Sequence, residues 1–362
     1  MQVPLLKWHI SRCVVALILV GGSITPVVAR QAIEHSMIAQ PLLTEEDKGR
    51  GRQGDKEKEW ENFPLAKSFK PLDLSMGFFP LSPHPLVPLS SSLTAQAQQS
   101  NQTAADFVNQ GLQLIQQGKI QEAITAFRKA TQLDAKLAPA HYNLGLALRQ
   151  SGQLQPAADA FYQATQADPK FALAYANLGA ALLEGNNPNL AEDYLQQALK
   201  LDSKLGLAHY NLGLVKEQQQ EWERAIASYK KAMKYSSKAP EPAYHLGLIY
   251  LQQNKVEQAT DAFRKALKIN PNYPEAHYSL GSILFNKGKL QEALEAFRKS
   301  ALANSNYANA YYGAGLVFMQ LRQYADAQQV LQSAKDLYIA QGNTQWATNA
   351  EQLLQQARIT IP

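Results

Sequence analysis

The sequence predicts an all-α solenoid of antiparallel helix pairs closed by one capping helix. Three observations carry that expectation. The heptapeptide AHYNLGL at Ala140–Leu146 returns letter for letter at Ala208–Leu214, with AYANLGA at Ala174–Ala180 midway, so the period is thirty-four residues. At that period all seven of Gly111, Gly145, Gly179, Gly213, Gly247, Gly281 and Gly315 are glycine, in a chain with only 20 glycines. No stretch of the repeated region alternates apolar and polar residues as a half-buried strand would.

The chain opens on a segment that reads as an export signal. Lys7 and Arg12 form a positive start, Cys13–Val20 (CVVALILV) is apolar, and Val27-Val28-Ala29 offers small residues to a signal peptidase. The uncharged run Cys13–Ala29 is also about the minimum length for a membrane span, so residues 1–29 are expected to be a cleaved leader or an uncleaved anchor. Either places the protein outside the cytosol, in a periplasm or lumen-type compartment or tethered to a membrane. Residues 30–103 read as a linker: Glu45–Glu61 crowds both charge signs, and Phe63–Pro88 is rich in proline with Phe and Leu.

The array follows, over 104–341, in seven units: 104–137, 138–171, 172–205, 206–239, 240–273, 274–307 and 308–341. Twelve residues after each glycine stands an alanine (Ala123, Ala157, Ala191, Ala225, Ala259, Ala293, Ala327). Seven further on come Ala130, Ala164, Ala198, Ala232, Ala266, Ser300 and Ala334. Between those small positions recurs a large side chain: Phe127, Phe161, Leu195, Tyr229, Phe263, Phe297 and Leu331. Small residues let two helix axes approach, and the large one fills the space beside them. The turn inside each unit carries Gly118, Gly152 or Gly288, or the polar pairs Asn186-Asn187 and Asn254-Lys255, which suit helix ends. Residues 342–362 supply the cap, with Trp346, Ala350, Leu353 and Ala357 on one face and amides elsewhere, as an array needs in order to end in water.

These positions resemble the tetratricopeptide repeat, which has small residues at positions eight, twenty and twenty-seven and an aromatic at twenty-four. The resemblance implies a right-handed solenoid with the first helix of each pair on the concave side. The proline that the family carries near each repeat's end is present only as Pro169 and Pro271. On the concave side the resemblance places the tyrosines Tyr142, Tyr210, Tyr244, Tyr278 and Tyr312, and beside them Asn109, Asn143, Asn177 and Asn211, giving way to His245, Ser279 and Gly313. This run is similar to the concave asparagine ladder of the repeat superhelix in O-linked N-acetylglucosamine transferases, which bind extended polypeptide. An amide offers both a donor and an acceptor and can hold a peptide backbone, while tyrosine adds apolar area with a hydroxyl at its edge. Expected peptide-binding residues are therefore Asn109, Tyr142, Asn143, Asn177, Tyr210, Asn211, Tyr244, His245, Tyr278 and Tyr312. The repeats that clamp acidic C-termini carry cations where this chain has Val108, Leu112, Leu173 and Asn177, so that mode is not expected.

Other function classes fall away on composition and spacing. A net charge of +5 with interspersed signs lacks the basic face of a nucleic-acid binder. Cys13 is the only cysteine, which excludes disulfides and cysteine-ligated metals from the array. His141, His209 and His277 recur every second repeat, roughly 20 Å apart at ordinary helix spacing, too far to share a metal. Ser228-Tyr229-Lys230-Lys231 spells S-x-x-K without its companion motifs. No enzyme activity, metal or cofactor is expected. Basic pairs such as Arg264-Lys265 and Arg298-Lys299 have acids four residues before a lysine (Asp261 with Lys265, Glu295 with Lys299), which reads as a solvated outer face. The expected function is a non-catalytic scaffold or adaptor whose partner is a protein or extended peptide segment. The alternatives are a structural or regulatory subunit packing laterally in an envelope assembly, and an enzyme-associated targeting module.

Overall fold

In the computed structural model residues 102–359 are described; the expected leader, the expected linker up to residue 101 and the last three residues lie outside them. Fifteen α-helices follow one another in this span, in antiparallel pairs. The first helices of the pairs are α1 Ala104–Gln116, α3 Ala138–Gln150, α5 Ala172–Glu184, α7 Gly206–Gln218, α9 Glu241–Gln252, α11 Pro274–Asn286 and α13 Ala308–Gln320. Their partners are α2 Ile120–Leu133, α4 Leu154–Ala167, α6 Pro188–Leu201, α8 Trp222–Tyr235, α10 Val256–Ile269, α12 Leu290–Ala303 and α14 Tyr324–Ala340. The capping helix α15 spans Thr344–Ile359. Among the described residues there is no strand.

The glycine and aromatic columns explain why the pairs pack so closely. A Cβ on Gly145 would lie 2.6 Å from the Phe161 ring, and one on Gly281 would lie 2.7 Å from Phe297. Gly179 and Gly315 stand in the same relation to Leu195 and Leu331. Each large side chain on a second helix therefore rests directly on the backbone of the first, where no other residue leaves room. Phe127, Phe161, Leu195, Tyr229, Phe263, Phe297 and Leu331 are fully or almost fully buried, as are the alanines flanking them.

Two kinds of turn hold the pairs in register. Inside each pair one residue takes the left-handed conformation: Gly118, Gly152 and Gly288, but also Asn186, Gln220, Asn254 and Arg322. Gln220 and Arg322 bear no turn chemistry, so the packing of the two helices on either side imposes that backbone. Between pairs the chain turns without relying on proline. Asp134, Asp168, Asp202, Asn270 and Asn304 each accept, through Oδ1, the backbone N–H two residues on, at 2.9–3.0 Å. This side-chain turn does the work that the scarce prolines leave undone. The histidine series lies beside it: the ring Nε2 atoms of His141, His209 and His277 sit 3.0, 3.0 and 2.8 Å from the carbonyls of Ala135, Ser203 and Pro271. Each staples a first helix to the turn that precedes it.

The array curves. Successive first helices pack directly on one another (α1 on α3, α5 on α7, α11 on α13), whereas contacts between successive second helices are sparser. The first helices thus line the inner arc. The second helices form the outer arc and carry the basic pairs. There Glu295 meets Lys299 at 3.6 Å as its spacing predicts, while Asp261 meets Arg264 at 3.9 Å rather than Lys265, because the guanidinium three residues on reaches it. The cap is fastened by Lys335–Glu351 at 2.7 Å and by Gln328 Nε2 donating to the Ala357 carbonyl. Its buried face is Ala347, Ala350, Leu353, Leu354 and Ala357, with Trp346 half-buried against Tyr312 and Tyr338.

Candidate interaction groove

The tyrosines of the inner arc sit deeper than the sequence suggests. Tyr142, Tyr244 and Tyr278 are buried between repeats instead of lining an open surface. Each packs against the aromatic of its own second helix, with centroids 5.6–5.8 Å apart. A second aromatic from the next inter-repeat turn closes over it: Phe171 on Tyr142, Tyr273 on Tyr244, Tyr307 on Tyr278. This corrects the expected role of those three rings, which wedge adjacent repeats together. Where the turn has no aromatic, as at Ala239, Tyr210 stays half-buried and meets Tyr229 and His245 instead. Tyr312 is likewise half-buried, edge-on to Trp346 of the cap.

Burial raises the hydroxyl pKa of Tyr142, Tyr311 and Tyr312 from 10 to about 12. An acid whose pKa is higher in the folded chain ionises first in the unfolded one. Stability is therefore full below pH 10 and falls as pH rises toward about 12. Absorbance titration of phenolate should show a group of tyrosines ionising only near pH 12, together with loss of helix. Complete ionisation of every tyrosine near pH 10 with the helices intact would contradict that burial.

The asparagine ladder is graded in depth. Asn109 is exposed, Asn143 and Asn177 are fully buried, and Asn211 is 4% exposed. Asn177 has two jobs. Its Nδ2 donates to the Tyr142 hydroxyl at 3.2 Å, bridging two repeats, and to the Leu173 carbonyl at 3.0 Å. Its Oδ1 has no partner, and neither does Nδ2 of Asn211. Farther along, the ladder changes character. His245 presents Nδ1 to Glu217 Oε2 at 3.0 Å, and the same carboxylate oxygen accepts from the Tyr229 hydroxyl. Ser279 turns its hydroxyl back on the Glu275 carbonyl at 2.8 Å. Gly313 is glycine because a Cβ there would lie 2.6 Å from Phe297.

Five charged residues on or beside the inner arc were not anticipated: two cations and the three carboxylates that meet them. Arg149 is 4% exposed and grips Glu184 of the next first helix with two nitrogens, Nε lying 3.0 and 3.1 Å from the two carboxylate oxygens. Lys216 is 5% exposed and meets Glu192 at 2.6 Å and Glu221 at 3.1 Å. Each arises once rather than in phase, and partners 35 or 24 residues apart fall outside any helical spacing rule. Arg149 and Lys216 are thus each matched by carboxylates within the fold.

Among the leucines of the first helices, Leu112, Leu146, Leu214 and Leu316 are half-buried and Leu248 is buried. The amides Gln116, Gln150, Gln252 and Gln320 are exposed at the ends of their helices, and Gln218 is half-buried with Nε2 on Asn186 Oδ1. Among the described residues no group of His, Cys, Asp or Glu could hold a metal ion, and no helix is long and apolar enough to cross a membrane.

Comparisons with known proteins agree with this architecture. The family profile of the cilia and flagella-associated protein 70 C-terminal domain matches residues 89–312. No curated protein matches the sequence. Among solved structures, a chain of the APC/C hetero-tetramer Cut9–Hcn1 is similar at 22% identity and a TM-score of 0.54, over 59% of this chain and 42% of that one. This chain thus corresponds to less than half the length of that one. The Pseudomonas aeruginosa pilF structure is similar at 24% identity and a TM-score of 0.52, over 59% of this chain and 96% of that one. Both likenesses concern the fold.

Proposed function

For a chain that belongs to the family of the cilia and flagella-associated protein 70 C-terminal domain, with an array of tetratricopeptide type, we propose a non-catalytic scaffold that holds an extended protein segment along its inner arc. This fold is typical of protein–protein interaction scaffolds. The observation that supports the groove is the row of half-buried side chains along the inner arc, Leu112, Leu146, Tyr210, Leu214, Tyr312 and Leu316, with Asn109 exposed at its start. An exposed amide such as Asn109 offers a donor and an acceptor to a ligand's backbone C=O and N–H. An extended backbone brings both at a regular spacing, whatever its side chains.

The half-buried Tyr210, Tyr312 and leucines of the inner arc would supply apolar contact beside those bonds. The matched charges favour a segment without net charge. Export or membrane tethering through residues 1–29 is part of this proposal, motivated by the order of positive, apolar and small residues there. The experiment is affinity capture from the native cell followed by peptide mapping of the captured protein. Binding confined to one linear uncharged segment supports the groove. Binding only to a folded partner, with no linear segment active, supports lateral packing in an assembly instead.

A further inference from the structure

The outer arc sorts its charges in space, although both signs alternate along the sequence. On a second helix, residues three, four and seven apart share one face. The buried aromatic column fixes which face looks outward. On α8 the outward face carries Ala227, Lys230, Lys231 and Lys234, and all three lysines are exposed. On α10 it carries Asp261, Arg264, Lys265 and Lys268, and on α12 Glu295, Arg298, Lys299 and Leu302. On α4 and α6 the same positions hold Asp159, Tyr162, Asp193 and glutamines, with Lys200 the one cation. The basic face therefore starts at α8.

Its two carboxylates are already engaged. Asp261 meets Arg264 at 3.9 Å, and Glu295 meets Arg298 at 2.8 Å and Lys299 at 3.6 Å. Lys230, Lys231, Lys234, Lys265 and Lys268 are exposed and form no ion pair among the described residues. These unmatched cations stand on two adjacent helices about 10 Å apart. Like charges held so close on rigid helices gain most from a surface that brings many negative charges at once.

Leu302 indicates which kind of surface. It lies on the same outward face and is 55% exposed, an apolar side chain at the edge of the lysines. An anionic bilayer takes up that combination, because headgroups meet the lysines while the leucine enters the acyl boundary. A nucleic acid fits it poorly. The major groove, about 12 Å wide, admits one helix, whereas α10 is flanked at about 10 Å by α8 and α12. No aromatic stands at the outward positions of α8 and α10 to stack on unpaired bases.

We propose that the outward face of α8, α10 and α12 docks on an anionic lipid surface, leaving the inner arc open. This docking is independent of the groove reading and of residues 1–29. The test is co-sedimentation of the full chain with vesicles of phosphatidylcholine, alone or in equal parts with phosphatidylglycerol. Wild type should bind the anionic vesicles only, and the binding should fade as salt rises. Lys230→Gln/Lys231→Gln/Lys234→Gln should bind them about 100-fold more weakly, at roughly fivefold per lysine. Lys119→Gln/Lys136→Gln/Arg322→Gln removes the same charge from exposed turns of the first and last repeats. That variant should stay within about threefold of wild type, since those charges lie beyond the screening length. Leu302→Ser should weaken vesicle binding about tenfold. All these side chains are exposed, so circular dichroism should show unchanged helices in each variant. Equal losses in the two triple variants would mean attraction by net charge alone and would overturn the docking face. Equal binding to neutral vesicles would place the contact in an apolar segment and overturn it as well. Tighter binding to duplex DNA than to anionic vesicles, with Leu302→Ser altering neither, would assign the face to nucleic acid instead.

Discussion

Phe161→Ala is expected to lower the unfolding free energy by about 3–5 kcal/mol, the range for removing a fully buried aromatic. Phe161 touches the Gly145 backbone on one side and packs 5.8 Å from the Tyr142 ring on the other. Its removal empties the contact that joins α3 to α4 and loosens the wedge between the second and third repeats. A repeat array loses stability near the lesion first, because each unit contacts only its neighbours. Amide hydrogen exchange should therefore speed up most in α3 to α5, with α11 to α14 changed least. A loss below about 1 kcal/mol, or exchange speeding up uniformly, would show that the glycine–aromatic contact does not hold the pair together.

Glu184→Ala is expected to cost about 3 kcal/mol, because it strips a buried guanidinium of its carboxylate. Arg149 is 4% exposed, so water reaches it poorly once Glu184 is gone. The sign of a double replacement discriminates this from lost packing. Arg149→Met combined with Glu184→Leu removes both charges and should recover most of the loss, since a buried ion pair replaced by apolar residues is often neutral or stabilising. Chemical denaturation of the three proteins measures it. A double variant at least as unstable as Glu184→Ala would mean that the pair's geometry, not the orphaned charge, sets the cost.

These two sites differ in how far they could be read beforehand. Gly145 and Phe161 recur in phase through seven repeats, so their contact is legible without any coordinates. The Arg149–Glu184 pair occurs in one place and joins two repeats, so no periodic pattern exposes it. The tyrosine column was legible as a column but not as core. Its burial depends on Phe171, Tyr273 and Tyr307, each the last residue of its own repeat, in the turn that leads into the next. The turns show the same division. Gly152 signals a left-handed residue by its type, whereas Gln220 and Arg322 adopt that backbone only because their flanking helices are fixed by packing. The inter-repeat turns, where the family's proline is scarce, are made largely by Asp and Asn side chains, which stand in phase at Asp134, Asp168, Asp202, Asn270 and Asn304.

The asparagines remain the sharpest lever on the proposed function, and Asn177 also bridges two repeats through the Tyr142 hydroxyl. The most direct measurement is the affinity of the captured partner for the full chain carrying Asn109, Asn143, Asn177 and Asn211 all replaced by Ala, with circular dichroism recorded on the same sample. With each lost hydrogen bond costing about 1 kcal/mol, affinity should fall by about two to three decades while the helical spectrum persists. An unchanged affinity in a folded variant, or collapse of the helices, would contradict a peptide-binding ladder on the inner arc.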